Sequence, residues 1–276
     1  MEIFQQQFNF KVEQKNKLKV LCLHGYQTNS DLMEIQMKQW KEVYFKKQIE
    51  FVYLNAPHKL PEQNISDPKL SEVVKKLKNK QLYSWFSTLK QLEKTLQYIE
   101  QFMNENGPFD GLCGFSQGGN ATAKFAMHYQ QGKINLKYPL KFVIMICATF
   151  PDMPAENNNN LLNGKSKKSV NHFQLDIPSL HLVGENDYFF QSSLVSTTLF
   201  INPEIIFHNG VPRLDAKDIR QVKKFLRKSM LKYQKNDDEF EEDNDQKEKE
   251  NKETIENEKE AQQNIDDINL EIKPKL

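Results

Sequence analysis

Short apolar runs bounded by turn residues recur along the chain at Val20–Leu23, Phe51–Leu54, Gly111–Cys113, Phe142–Ile146, Ser179–Val183 and Glu204–Phe207. Each has the length of a strand rather than a helix. Several are apolar at nearly every position instead of every second one, the pattern of strands covered on both faces of a parallel sheet. Between them the period changes. Leu89, Leu92, Leu96, Ile99 and Phe102 are spaced three or four apart, as are Ile219, Val222, Phe225 and Leu226, which predicts helices over Leu89–Met103 and Ile219–Leu231. Alternating strands and helices predict an α/β fold: a mainly parallel central sheet covered by helices on both faces.

Two stretches break this rhythm. Pro151–Ser169, with four consecutive Asn at 157–160 and then Gly164-Lys165-Ser166-Lys167-Lys168, reads as a mobile surface loop, with a lid over a pocket as the alternative. From about Gln234 onward the chain is Glu, Asn, Lys and Asp with few apolar side chains, too few to offset the entropy of ordering it. The expected organisation is therefore one domain over residues 17–232 and a disordered, net acidic tail over 233–276.

Charge sharpens that division. Residues 236–276 carry sixteen Asp/Glu against six Lys, a net charge of −10, while the preceding 235 residues carry thirty-two Lys/Arg against twenty-one Asp/Glu, a net +11. The basic residues are spread out and not interleaved with aromatics, so they read as a solvated surface and no nucleic-acid partner is expected. Three cysteines, Cys22, Cys113 and Cys147, lie in or at the end of apolar runs. An odd number in such places suggests reduced thiols. Met1–Lys19 has no apolar core of a secretory signal, and no run of about 18 apolar residues occurs, so a cytoplasmic protein without a membrane span is expected.

The most specific chemistry lies at Gly114-Phe115-Ser116-Gln117-Gly118. A G-x-S-x-G pentapeptide alone is common, but here an apolar strand precedes it and a small-residue segment with Ala121 and Ala123 follows, the context of a nucleophile elbow. A serine on a sharp strand-to-helix turn takes strained dihedrals, and side chains two positions to either side would collide with neighbouring backbone; Gly114 and Gly118 remove them. Ser116 then stands at a helix N-terminus, where NH groups stabilise negative charge.

A serine hydroxyl needs a base, and the tetrahedral intermediate needs donors for its oxyanion. The first strand ends in His24-Gly25-Tyr26, the type of loop that supplies one oxyanion NH, so the backbone NH groups of Tyr26 and Gln117 are the expected donors, with His24 bracing the loop. Asp187, in the polar turn after Ser179–Val183, is the preferred acid and Glu185 the second choice. His208 alone follows Asp187 among the histidines, so chain order makes it the base. His58, His128, His172 and His181 read as structural or exposed. No metal and no cofactor are expected, and the partner is a small-molecule ester.

Taken together, Leu21-Cys22-Leu23-His24-Gly25-Tyr26 with Thr28-Asn29, Asn55-Ala56-Pro57-His58, Trp85-Phe86, Gly111–Gly119, Pro178–His181 through Gly184–Asp187, and Val211-Pro212-Arg213 resemble the FSH family of serine hydrolases over roughly residues 17–230. The resemblance implies a compact α/β-hydrolase core without a large lid, acting as a carboxylesterase with a serine, an aspartate and a late histidine as its triad and needing no cofactor. It also marks a departure. The family usually ends a late strand with one histidine and places the catalytic one in a Gly-His pair just before Val-Pro. Here His208-Asn209-Gly210-Val211-Pro212 has one histidine and a shorter turn. Two expectations follow: His208 serves as base across the shortened loop, or the chain is a catalytically degenerate hydrolase fold that binds a ligand without turning it over.

Overall fold

The structure is a computed structural model and describes residues 17–61, 68–75, 77, 79–149, 174–209 and 214–232. The loop expected at Pro151–Ser169, His172, the Val211-Pro212-Arg213 motif and the tail from residue 233 lie outside the described residues. The elements in chain order are β1 (Leu18–Leu23), α1 (Ser30–Gln36), a π-helical turn (Trp40–Tyr44), β2 (Ile49–Leu54), β3 (His58–Lys59), α2 (Pro68–Lys75), β4 (Tyr83–Ser84), α3 (Leu89–Asn106), β5 (Gly111–Phe115), α4 (Gln117–Gln130), β6 (Phe142–Ile146), β7 (Ser179–Gly184), α5 (Phe190–Thr197) and β8 (Glu204–His208), followed by a helix over 216–232.

Local chemistry explains the helix boundaries. Asn29 caps α1 by accepting the Leu32 NH at 3.0 Å, and Thr88 caps α3 by accepting the Gln91 NH at 3.2 Å. In α3 the buried apolar residues are Leu92, Leu96, Ile99 and Met103, a 4-3-4 spacing that keeps one face inward. Leu89 lies in the first turn and is 77% exposed, so it belongs to solvent and not to the inward stripe the spacing suggested. Gly107-Pro108 follows immediately and stops the helix.

Six strands form one parallel sheet in the order β2-β1-β5-β6-β7-β8. Successive strand residues point to opposite faces. Leu21, Leu23, Leu112, Val143 and Met145 join the buried residues of α3 and α4 in one core cluster. Phe142 points the other way and meets Phe225 of the last helix edge to face, with ring centroids 5.9 Å apart. Both faces are thus covered, as the unbroken apolar runs require. At the β8 edge the cover is partial, and Phe207 is 48% exposed. Among the described residues, Trp40, Trp85, Phe45, Phe125 and Phe142 are the largest fully buried side chains, each worth about 3–5 kcal/mol on truncation to Ala.

The chain divides into two compact units, Met1–Leu226 and Arg227–Leu276. Among the described residues all the strands lie in the first, and residues 227–232 of the second are helical. Among the described residues no helix is long and apolar enough to cross a membrane. A parallel sheet collects its strand ends on one side, where ligands of open α/β sheets bind. Here that edge gathers His24-Gly25-Tyr26 after β1, Ser116 after β5, Cys147 after β6, Glu185–Asp187 after β7, and His208 closing β8.

Candidate active site

Ser116 joins β5 to α4 with φ 51° and ψ −116°, in the left-handed region that side chains disfavour. Two backbone hydrogen bonds hold it there: its NH donates to the Ile146 carbonyl at 2.9 Å, and its carbonyl accepts the Asn120 NH at 3.1 Å. The glycines leave no alternative. A Cβ on Gly114 would stand 2.3 Å from the Gly118 carbonyl oxygen, and one on Gly118 would stand 2.2 Å from that of Leu23. The first turn of α4 therefore lies against the end of β1. Ser116 keeps part of its surface in solvent, and the NH groups of Gln117 and the next residues open the helix without intrahelical acceptors.

The loop after β1 is clamped on the same side. The Ala56 NH donates to His24 Nε2 at 3.0 Å, which leaves the ring proton on Nδ1. Nδ1 then donates to the Gly25 carbonyl at 2.7 Å, and the Thr28 hydroxyl donates to that same oxygen at 2.7 Å. Burial holds the imidazole neutral, pushing its pKa down to about 4. In a planar trans peptide the NH points opposite to the C=O, so the Tyr26 NH faces away from this clamp. Gly25 lies directly over the elbow, since a Cβ there would be 3.1 Å from the Phe115 ring and 3.6 Å from Ser116 Cβ.

Trp85 and Gln117 join loop to elbow. The Trp85 indole NH donates to the His24 carbonyl at 2.7 Å, its backbone NH donates to Gln117 Oε1 at 3.0 Å, and Gln117 Nε2 donates to the Phe86 carbonyl at 2.7 Å. The Gln117 side chain thus ties the Ser116 turn to the segment after β4 whose Trp85 holds the His24 carbonyl.

On the other side of Ser116 the geometry is looser. Asp187 is half-buried and its Oδ1 accepts the Phe189 NH at 2.8 Å, whereas Glu185 is exposed. Gly184 is flanked by both expected partners: a Cβ there would lie 3.1 Å from Asp187 Cβ and 3.2 Å from His208 Cε1. His208 is buried, and its Nε2 lies 3.6 Å from the Cys147 Sγ. The imidazole therefore crosses over Gly184 of β7 and reaches the end of β6. One further strand separates it from Ser116. At about 4.8 Å per strand, β5 and β8 are about 14 Å apart along the sheet, a gap the ring only partly spans.

The other described histidines are accounted for structurally. His58 Nε2 lies 3.1 Å from the Gln91 carbonyl oxygen. His181 is buried against Phe200, lies 3.1 Å from the Ser179 hydroxyl, and is pushed by burial to a pKa of about 3. His128 lies far along α4.

The family model described as serine hydrolase (FSH1) matches residues 13–216. The chain belongs to the FSH1 serine hydrolase family. Among its relatives, the esterase OVCA2 of Danio rerio is 26% identical over 212 residues, covering 70% of this chain and 88% of that one. An uncharacterized hydrolase of Schizosaccharomyces pombe is 28% identical over 218 residues, covering 72% of this chain and 48% of its own, so the chain spans about half that relative's length. The crystal structure of Zea mays acyl-protein thioesterase 2 matches with a TM-score of 0.48 at 17% identity, covering 78% of this chain and 94% of that chain.

Within this FSH1 framework, the site also contains residues that pattern reading left without a role: Thr28, Trp85, the Gln117 side chain and Cys147. Each acts through a partner distant in sequence or through backbone geometry, which a linear motif does not display. Gly118→Ala should lower the unfolding free energy by about 2 kcal/mol or more, because backbone atoms cannot yield to the new methyl; an unchanged urea midpoint would contradict the close packing described. A second outcome concerns pH. His24 and His181 bind a proton in the unfolded chain below about pH 6.5 and in the folded chain only near 4 and 3. Their contribution is complete above pH 6.5 and is lost as pH falls toward 4, on the order of 1–2 kcal/mol for each ring between pH 7 and pH 5. Urea midpoints that hold constant across that interval, above most carboxylate titration, would show that the rings are not held neutral.

Proposed function

We propose that this FSH1-family serine hydrolase cleaves carboxylic esters through an acyl-enzyme on Ser116. The observation that carries the reading is the left-handed Ser116 backbone on a turn whose glycines admit no side chain, with its residue partly open to solvent. The relative named as an esterase supports the ester as substrate class. Ser116 Oγ attacks the ester carbonyl carbon while His208 takes the hydroxyl proton, and the carbonyl π electrons move onto oxygen. The NH groups of Tyr26 and Gln117 hold that oxyanion. Its collapse breaks the bond to the alkoxy oxygen, which leaves with the proton from His208. Water, deprotonated by the same ring, then attacks the acyl carbon; the bond to Ser116 Oγ breaks, Oγ takes the proton back from His208, and the acid leaves. Asp187 is the acid member, chosen over Glu185 because it packs beside Gly184 and His208 while Glu185 faces solvent. The chemistry uses side chains and backbone groups of the chain alone. Three free, buried thiols support a reducing compartment, with the cytoplasm as the proposed location.

One observation favours a second reading. His208 is the last residue of β8 and its Nε2 lies 3.6 Å from Cys147 Sγ, one strand spacing short of Ser116, the arrangement a non-catalytic, ligand-binding fold would allow. A series of para-nitrophenyl esters of increasing acyl length separates the two. Turnover by the wild type, with fluorophosphonate labelling lost in Ser116→Ala and kcat lowered by about three to four orders of magnitude in His208→Ala, is the expected result. A folded wild type that neither labels nor turns over any ester would favour the binding protein.

A further inference from the structure

Cys147 lies at the junction of the two halves of the site. It follows β6 directly, next to Ile146, whose carbonyl accepts the Ser116 NH at 2.9 Å. Its own NH donates to the Leu182 carbonyl at 2.9 Å, so the residue is pinned between the nucleophile strand and β7. Its φ of 44° places it, with Gln27 and Ser116, among the non-glycine residues of this edge that adopt the left-handed conformation. Such backbone persists only where surrounding contacts hold it. The result of that turn is that Sγ lies 3.6 Å from His208 Nε2 and 3.5 Å from where a Gly184 Cβ would be.

We propose that Cys147 is a positioning residue for the hydrolase reaction, its Sγ holding the His208 imidazole across Gly184 with Nε2 directed along the sheet toward Ser116. This rests on the reading of His208 as the base. The thiol is suited to the task because it stays protonated: burial first, and then the neighbouring Asp187 carboxylate, raise its pKa to about 12. A neutral thiol neither repels the carboxylate nor neutralises an imidazolium formed during reaction. It contacts Nε2 at a distance ordinary for sulfur, a weak hold that a serine hydroxyl can displace as the ring swings. Gly184 supplies the room, since a methyl there would press on Cε1 at 3.2 Å.

The test compares the full-length wild type with Cys147→Ala, Cys147→Ser and His208→Ala on one para-nitrophenyl ester, alongside nitrogen-15 spectra of the histidine side chains. Cys147→Ala should lower kcat about tenfold or more with KM within about twofold, because a base displaced by an ångström loses rate without losing ground-state binding. Cys147→Ser, which keeps a donor and acceptor in place, should recover most of the loss, and the His208 ring resonances should move in Cys147→Ala and return toward wild type in Cys147→Ser. Should Cys147→Ala keep the wild-type kcat while His208→Ala is inactive, the positioning role is overturned and the base assignment stands. A loss in Cys147→Ala that Cys147→Ser does not relieve, with His208 resonances unmoved, overturns it equally, since it marks a packing defect. Activity retained by His208→Ala overturns the base assignment, and this role with it.

Discussion

The contact on which the site depends is backbone against backbone: the first turn of α4 lies so close to the end of β1 that a single methyl on Gly118 would stand 2.2 Å from the Leu23 carbonyl oxygen. Hydrogen bonding does not require so short an approach; the sharp turn at Ser116 does. The loop leaving β1 passes over the elbow, where a Cβ on Gly25 would stand 3.1 Å from the Phe115 ring and 3.6 Å from Ser116 Cβ. The proposed oxyanion donors and the proposed nucleophile, Ser116, are thus neighbours.

The strain this imposes is held by specific partners. Gln27, Ser116 and Cys147, all at the carboxyl edge of the sheet, have left-handed backbone without being glycine. Gln27 is fixed by its NH donating to the Tyr83 carbonyl at 3.1 Å, and Ser116 and Cys147 by theirs donating to neighbouring strands at 2.9 Å. Burial of His24 makes the arrangement stiffer still. A neutral imidazole, bonded at both nitrogens and fully buried, can neither gain a proton near neutrality nor rotate without abandoning a buried donor.

Much of this was legible in the sequence because the requirement is local. Gly114, Ser116 and Gly118 announce themselves by spacing, since the steric demand acts two residues either side of the serine. The sheet was legible from unbroken apolar runs, because strands covered on both faces have no solvent side. What stayed hidden depends on distant pairs or on short elements. Trp85 bonds His24 across 61 positions and Gln117 across 32, and neither partner carries a mark of the other. Strands of two residues, such as β3 and β4, and the five-residue π-helical turn are too short to show a period. Leu89 fitted the helical spacing yet faces solvent, because spacing defines a stripe but not where the neighbouring element ends. Cys147 read as one more buried thiol, since its backbone turn leaves no trace in composition.

The two sides of Ser116 are built to different tolerances, and the difference bears on how such a site works. On the β1 side the links are hydrogen bonds of 2.7–3.0 Å between buried or part-buried groups. An oxyanion site must be rigid, because its donors act by already pointing where charge will form, and any reorientation during reaction forfeits the benefit. On the β7 and β8 side the imidazole rests on a thiol at 3.6 Å over a glycine, at the edge of the sheet. A base has the opposite requirement: it must take a proton from the serine and then present it to a departing oxygen at a different position. In the proposed mechanism the His208 ring, with no side chain at Gly184 in its path, crosses the remaining strand spacing to reach Ser116. In that proposed mechanism the stiff side receives charge and the other side carries the proton, a division that matches a parallel sheet with a packed interior and a partly covered last strand.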